Sequence, residues 1–197
     1  MRQLSTGAAL AALLALSAGG AAAADAENKY SVDGVGRLDC ARFNTARAEN
    51  GPELRLFAGW IDGYASGFNH FTPDTYDITP WQTVELLVLK LAKFCEANPE
   101  TRFAVAVNEL FATLAPQRLE KESPVLRIER NGQALFIYAE TAERMRARLK
   151  EEGFDAGPVG SGFGQSAAEA LAAYQQKNGL PVSGLPDQPT LNALFPR

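Results

Sequence analysis

Apolar side chains recur at helical spacing through the first half of the chain, from about residue 38 to residue 114. Asp39 is a residue type that caps helices, and Pro52 suits the first turn of a second helix. Thr79–Gln82 has the capping-box pattern and predicts the start of a third helix. Asn98 and the proline after it separate the third helix from a fourth. These four amphipathic stretches predict a small four-helix bundle.

The pattern then changes from helical to alternating. Residues 116–124 are polar, with a proline at each end, and predict a linker. Val125–Tyr138 predicts a β-hairpin, because Asn131 and Gly132 supply the two positive-φ positions of a type I′ turn between strand-like runs. A lone hairpin is marginally stable in water, so we expect it to pack on a neighbouring part of the chain.

Helical spacing returns from Thr141 to the end of the chain. One helix is predicted from Thr141 to Gly153, a second from about residue 166 to residue 178, and a short third from about residue 185 to residue 194. A glycine-rich loop lies between the first two. We expect Gly153, Gly164, Gly179 and Gly184 to mark turns that need a positive φ or a close backbone approach.

The first 24 residues have the pattern of a secretory signal peptide. Arg2 is followed by a short Ala/Leu segment and an Ala-x-Ala end at Ala24. The alternative is an uncleaved anchor, although the apolar run is short for a membrane span. We therefore expect cleavage after Ala24, export to the periplasm and a mature chain without a membrane span.

Composition narrows the classes of function. The chain has 197 residues, a formal net charge of −4 and one histidine, His70. An acidic chain is not suited to nucleic acid. One histidine and two cysteines are too few for the usual zinc clusters, and a single histidine makes a histidine-based catalytic triad hard to assemble. We predict no catalytic residues, no metal, no cofactor and no enzymatic activity.

Cys40 and Cys95 are the two cysteines of the chain. In an exported protein two cysteines usually pair, so a structural disulfide is predicted. A redox or metal-binding pair is the competing interpretation, but there is no C-x-x-C motif and His70 alone does not complete a ligand set.

The C-terminal stretch carries a specific series of motifs: Phe163-Gly164, then Ala170–Gln175, then Gly179–Gly184, and last Thr190 with Leu194. This stretch resembles the three-helix peptidoglycan-binding domain of cell-wall proteins. The resemblance implies a compact fold of three helices that binds peptidoglycan. It also implies a set of ligand-binding residues, which are Phe163, Gly164, Tyr174, Gln175, Gly184 and Thr190.

The chain departs from that family in the glycine-rich loop. The family commonly has Asp-Gly ahead of Phe-Gly and a threonine just after it, where this chain has Gly160, Ser161 and Ala167. A carboxylate and a hydroxyl are therefore missing from one wall of the expected groove. Structural use of the fold without glycan binding is the alternative, because a fold does not dictate a function.

The helical first half carries Gly59, Gly63 and Gly67 at four-residue spacing, with Cys40 and Cys95 on either side. It resembles periplasmic proteins of the HdeA acid-stress chaperone type and the related type VI secretion immunity proteins, which implies four helices clamped by one disulfide. Each glycine costs about 1 kcal/mol in a helix, so we expect close packing there. The packing partner is either another helix of the same domain or a separate protein.

An external partner would also use the aromatic residues around these glycines. Trp60, Tyr64 and His70 are the predicted partner-binding residues. A lone histidine is more often a surface or packed residue than a catalyst or a ligand, and this is the favoured interpretation of His70.

These expectations combine into a mainly α-helical exported protein. The predicted divisions are a signal peptide (1–24), an HdeA-like helical domain (25–115), a linker (116–124), a β-hairpin (125–140) and a peptidoglycan-binding-like domain (141–197). The predicted function is non-catalytic binding of the cell wall, with the helical domain presented to a partner. The alternatives are an acid-stress holdase and an immunity protein that inhibits a periplasmic amidase.

Overall fold

The structure is a computed structural model that describes residues 25, 27, 29–158, 160 and 162–195. The predicted signal peptide, residues 1–24, lies outside the described residues. The chain divides into two units, residues 1–31 and residues 32–197. In the first unit, the Asp25 carboxylate accepts hydrogen bonds from the backbone N–H groups of Glu27 and Lys29.

The second unit is mainly helical, as predicted, with one short hairpin. Its first half contains four helices, which are α1 (Cys40–Glu49), α2 (Pro52–Phe71), α3 (Val84–Ala97) and α4 (Phe103–Leu114). The antiparallel strands β1 (Val125–Arg130) and β2 (Gln133–Tyr138) follow. The last three helices are α5 (Ala139–Glu151), α6 (Gln165–Lys177) and α7 (Gln188–Leu194).

Two predicted helix starts are confirmed and one is wrong. Asp39 caps α1 by accepting from the backbone N–H of Arg42 at 2.8 Å, and Pro52 opens α2. The capping box at Thr79–Gln82 does not start α3. The helix begins four residues later, where the Thr83 hydroxyl accepts from the backbone N–H of Leu86 at 3.4 Å. Gln82 is instead buried in the preceding loop.

The core of the four-helix bundle is aromatic and disulfide-bonded. The ring centroids of Phe43, Phe57 and Phe103 lie 4.7–5.2 Å apart, and all three side chains are fully buried. The predicted disulfide between Cys40 and Cys95 is confirmed, and it joins the start of α1 to the end of α3 inside this core.

One glycine of the first half lies very close to another side chain, but it is not one of the three predicted glycines of α2. A Cβ added to Gly59, Gly63 or Gly67 would meet nothing within 4 Å, so the predicted close packing within the domain is wrong. A Cβ on Gly36 would lie 2.2 Å from Cζ2 of Trp60. The turn that contains Gly36 therefore rests directly on the Trp60 indole, whose Nε1 donates to the Asp33 carbonyl at 2.9 Å.

The hairpin packs on the C-terminal helices. Asn131 and Gly132 have φ values of 52° and 75°, which confirms the predicted turn residues. Ile128 and Ile137 alternate inward and are buried together with Met145 and Leu149 of α5 and residues of α6 and α7. The hairpin thus completes the core that the last three helices share.

The segment predicted as a linker is packed against the first half. The Leu119 side chain is fully buried, and its backbone N–H and C=O bond to Asp77 and Tyr76. The Arg144 guanidinium of α5 donates to the carbonyls of Gln117 and Arg118. These bonds hold the segment in place, whereas the domain limits themselves stay a prediction.

We expect opposite effects of alanine at two glycines of the first half. Gly36→Ala should lower the free energy of unfolding by about 2 kcal/mol, because its Cβ overlaps the Trp60 ring. Gly63→Ala should raise it by up to about 1 kcal/mol, because the site is open and alanine is the better helix former. Urea denaturation measures both changes, and equal effects of the two variants would contradict the assigned packing.

The hairpin's structural role is testable on one strand. Ile137→Ala should cost about 3 kcal/mol of unfolding free energy, because Ile137 is buried in the C-terminal core. Phe136→Ala is the matched control, since Phe136 is 68% exposed on the opposite face, and we expect about 1 kcal/mol or less. A loss at Ile137 no greater than that at Phe136 would contradict the packing of the hairpin on the helices.

Candidate functional site

The loop between α6 and α7 is organised by one buried amide. Gln175 has no exposed surface, and the two hydrogens of its Nε2 are shared among Ser183 Oγ, Leu185 C=O and Thr190 Oγ1 at 2.8–3.0 Å. Its Oε1 accepts from the backbone N–H groups of Ser183 and Gly184 at 2.9 and 2.8 Å. A single side chain therefore fixes the backbone of the Gly-Leu-x-x-x-Gly motif.

Asp187 connects this loop to the last helix. One carboxylate oxygen accepts from the backbone N–H of Thr190 at 3.0 Å and so caps α7. The other oxygen accepts from the Ser183 hydroxyl at 2.9 Å. Gly184 has a φ of 64°, which explains why glycine suits this position. The motif and the helix cap form one continuous network.

The glycine-rich loop before α6 is held by a buried arginine. Arg146 on α5 is 3% exposed and donates from Nη1 to the Gly162 carbonyl at 2.7 Å and from Nη2 to the Pro158 carbonyl. A Cβ on Gly157 would come within 3.3 Å of Nη2. The planar guanidinium, which donates in several directions, therefore fastens the loop at two points.

The expectation for Gly164 is wrong, and the one for Gly153 is confirmed. Gly164 has a φ of −107°, and a Cβ there would meet nothing within 4 Å. It serves as an exposed N-cap of α6 rather than as a tight turn. Gly153 and Gly179 have φ values of 87° and 65°, as predicted for the residues that end helices.

An aromatic pair lies at the other end of α6. The rings of Phe154 and Tyr174 meet edge to face at 5.7 Å, and the Lys177 ammonium lies 5.2 Å from the centroid of Phe154. Burial raises the pKa of the Tyr174 phenol, and the Glu152 carboxylate raises it further. Both effects favour the neutral form of the phenol.

The six predicted ligand-binding residues fall into two groups. Gln175, Thr190, Gly184 and Tyr174 are buried and shape the loops around them. Phe163 is half-buried and Gly164 is exposed, so these two have accessible surface. The buried members would act indirectly, through the positions of the loops.

The predicted partner-binding residues lie on α2. Trp60 stacks on Tyr64 with centroids 5.1 Å apart, beneath the turn that contains Gly36, and the Tyr64 hydroxyl is 3.3 Å from Asn108 Oδ1. His70 is exposed, and its ring is 4.4 Å from that of Phe71. Both Trp60 and Tyr64 thus have structural contacts within the bundle.

Sequence reasoning missed the two arginines that approach the loops, Arg146 and Arg130. Arg146 was identifiable in principle, because it lies four residues after the inward-facing Ala142 on α5. Arg130 ends β1 on the face of Ile128, and an added Cβ on Gly184 would lie 3.0 Å from its Nε. Alternation along the strand gives the direction of this side chain but not the neighbour that it meets.

Within residues 29–158 and 162–195, no helix is long and apolar enough to cross a membrane. In the same part of the chain, no group of three or more histidine, cysteine or acidic residues is placed to hold a metal ion.

Residues 139–194 match the family model PG_binding_1, described as a peptidoglycan binding domain. This family is a class of binding domain that is generally non-catalytic, and the match suggests cell-wall association. It covers α5, α6, α7 and the loops between them, which are 56 of the 197 residues of the chain. No curated protein and no solved structure matches the chain.

We expect Gln175 to be essential for the stability of the C-terminal helices. Gln175→Leu should lower the free energy of unfolding by about 3 kcal/mol, because several buried polar groups lose their partner. Gln176→Leu is the matched control on the exposed face of α6 and should change it by about 0.5 kcal/mol or less. Urea denaturation would contradict the role of the amide if the two variants unfolded alike.

Proposed function

We propose that the protein is a non-catalytic periplasmic protein that binds peptidoglycan through its C-terminal helices and presents the α1–α4 bundle to a protein partner. The observation that carries the proposal is the family match over residues 139–194. The complete Gln175 network supports it, because the loop motif that the match includes is fully formed here.

Export to the periplasm is supported by two features of the chain. Residues 1–24 have the charge, apolar run and small-residue end of a signal peptide. The Cys40–Cys95 disulfide favours an oxidising compartment, since disulfides rarely persist in a reducing cytosol. Peptidoglycan lies in the same compartment, so location and ligand agree.

A partner surface on the bundle is supported by the exposed face of α2. Leu56 and Phe71 are 62% and 77% exposed near the two ends of the helix. Gly59, Gly63 and Gly67 lie between them with open space above. A flat face of small residues with an apolar side chain near each end suits close approach by another protein. His70 borders this face beside Phe71.

The proposal is tested by co-sedimentation of the full mature chain with purified sacculi. We expect the wild-type protein to sediment with sacculi and Gly164→Asp to bind about tenfold more weakly. The added carboxylate would lie on the exposed surface beside Phe163, where it would repel the carboxylates of the peptide stems. The backbone at Gly164 accepts a side chain without strain.

Gly51→Asp is the matched control. Gly51 is also an N-cap glycine with extended backbone and open space, but it begins α2 in the bundle. Both variants add the same charge and the same residue type at a helix start. We expect Gly51→Asp to bind like the wild type. A wild-type protein that stays in the supernatant would refute peptidoglycan binding, and equal binding by the two variants would remove residue 164 from the binding surface.

A further inference from the structure

Arg130 connects the hairpin to the loop motif of the C-terminal helices. A Cβ added to Gly184 would lie 3.0 Å from Nε and 3.3 Å from Cζ of Arg130, and 3.0 Å from the carbonyl oxygen of Ala168. The guanidinium therefore lies directly over Gly184. Arg130 precedes the region that the family model matches, so the family match does not include it.

The position of Arg130 is fixed by the strand and not by a partner of its charge. Arg130 pairs with Gln133 across the turn at the tip of the hairpin. Two residues earlier on the same face, Ile128 is anchored in the core, as is Ile137 on the other strand. The tip is therefore held against the loop by buried apolar contacts.

The charge of Arg130 is unused within the described part of the chain. The side chain is half-buried, and no hydrogen bond or ion pair joins it to another described residue. Asp187, the acidic residue of the adjacent loop, already accepts from Ser183 and from the backbone of Thr190. Pairing with an anion is more favourable in free energy for a partly desolvated, unpaired guanidinium than for one that is fully exposed to water.

The chemistry of the ligand follows from these observations. A guanidinium recognises a carboxylate through parallel N–H···O bonds. Peptidoglycan differs from plain glycans by its peptide stems, which carry free carboxylates. The whole chain has a formal net charge of −4, so long-range attraction does not draw it to an anionic polymer. Recognition of an anion by this chain therefore requires a local cation.

We infer that Arg130 pairs with a carboxylate of the peptide stems of peptidoglycan, so that the hairpin extends the binding surface beyond the three helices. The inference rests on the proposed function, since it names a chemical group of the same ligand. Arg130 is then a specificity residue, which distinguishes glycan strands with peptides from bare ones.

The experiment measures the affinity of the full mature chain for two preparations of sacculi, both freed of protein and of phosphate polymers. One is native, and in the other the carboxylates are converted to amides. We expect the wild-type protein to bind native sacculi about tenfold more tightly than amidated sacculi. Arg130→Gln should bind both preparations equally, at the wild-type level for amidated sacculi.

Arg127→Gln is the matched control. Arg127 lies on the same strand with its side chain on the exposed face, where it pairs with Glu129. The variant has the same change of charge and should behave like the wild type. Arg130→Lys keeps the charge and should bind native sacculi more tightly than Arg130→Gln does. Equal binding by those two variants would assign Arg130 to packing over Gly184 and overturn the inference.

The remaining outcomes separate this inference from the proposed function. Wild-type binding that is unaffected by amidation would overturn the role of Arg130 and leave peptidoglycan binding intact. Arg130→Gln that binds native sacculi as tightly as Arg127→Gln would do the same. A wild-type protein that binds neither preparation would overturn the proposed function, and this inference with it.

Discussion

The burial of one face of a two-stranded hairpin is the constraint on which the arrangement of the C-terminal half depends. Two strands alone cannot bury an apolar face, so Ile128 and Ile137 need a surface from elsewhere in the chain. Helices α5, α6 and α7 provide this surface. In turn, Ile128 and Ile137 add two large apolar side chains to the small core of these helices. The same contact sets the direction of the strand and brings its tip to Gly184.

A second set of contacts joins the first half of the chain to the same helices. The Trp81 ring lies 5.8 Å from that of Phe195, and the backbone N–H of Thr83 donates to Gln188 Oε1 at 3.1 Å. Arg144 adds bonds to the carbonyls of Gln117 and Arg118. Helix α7 is therefore held both by the motif network and by the loop that leads into α3. These contacts hold the bundle in a defined orientation relative to α7.

Local chemistry predicted the elements of this fold, and tertiary contacts account for the errors. Asp39 and the Asn131-Gly132 turn act through neighbours within a few residues, so their roles could be inferred from sequence alone. Thr79 carries an equally good capping signal, but Trp81 packs against the C-terminal core, and α3 begins at Val84 with Thr83 as its N-cap. Helical spacing indicated the glycine face of α2 but not what faces it.

The charge around the candidate site could be predicted from sequence only in part, because some of the charged side chains come from other elements of the fold. Gly160 stands where the family that the C-terminal stretch resembles commonly has an acidic residue, so the loop lacks that negative charge. The sequence alone does not show that Arg146 donates a hydrogen bond to a carbonyl of that loop. Nor does it show that Arg130, on the hairpin, lies over Gly184 in the loop between α6 and α7. Loss of a carboxylate from one loop and approach of a guanidinium to the other change the local charge in the same direction. The charge around these two loops is therefore more positive than the family pattern implies, although the chain as a whole is acidic.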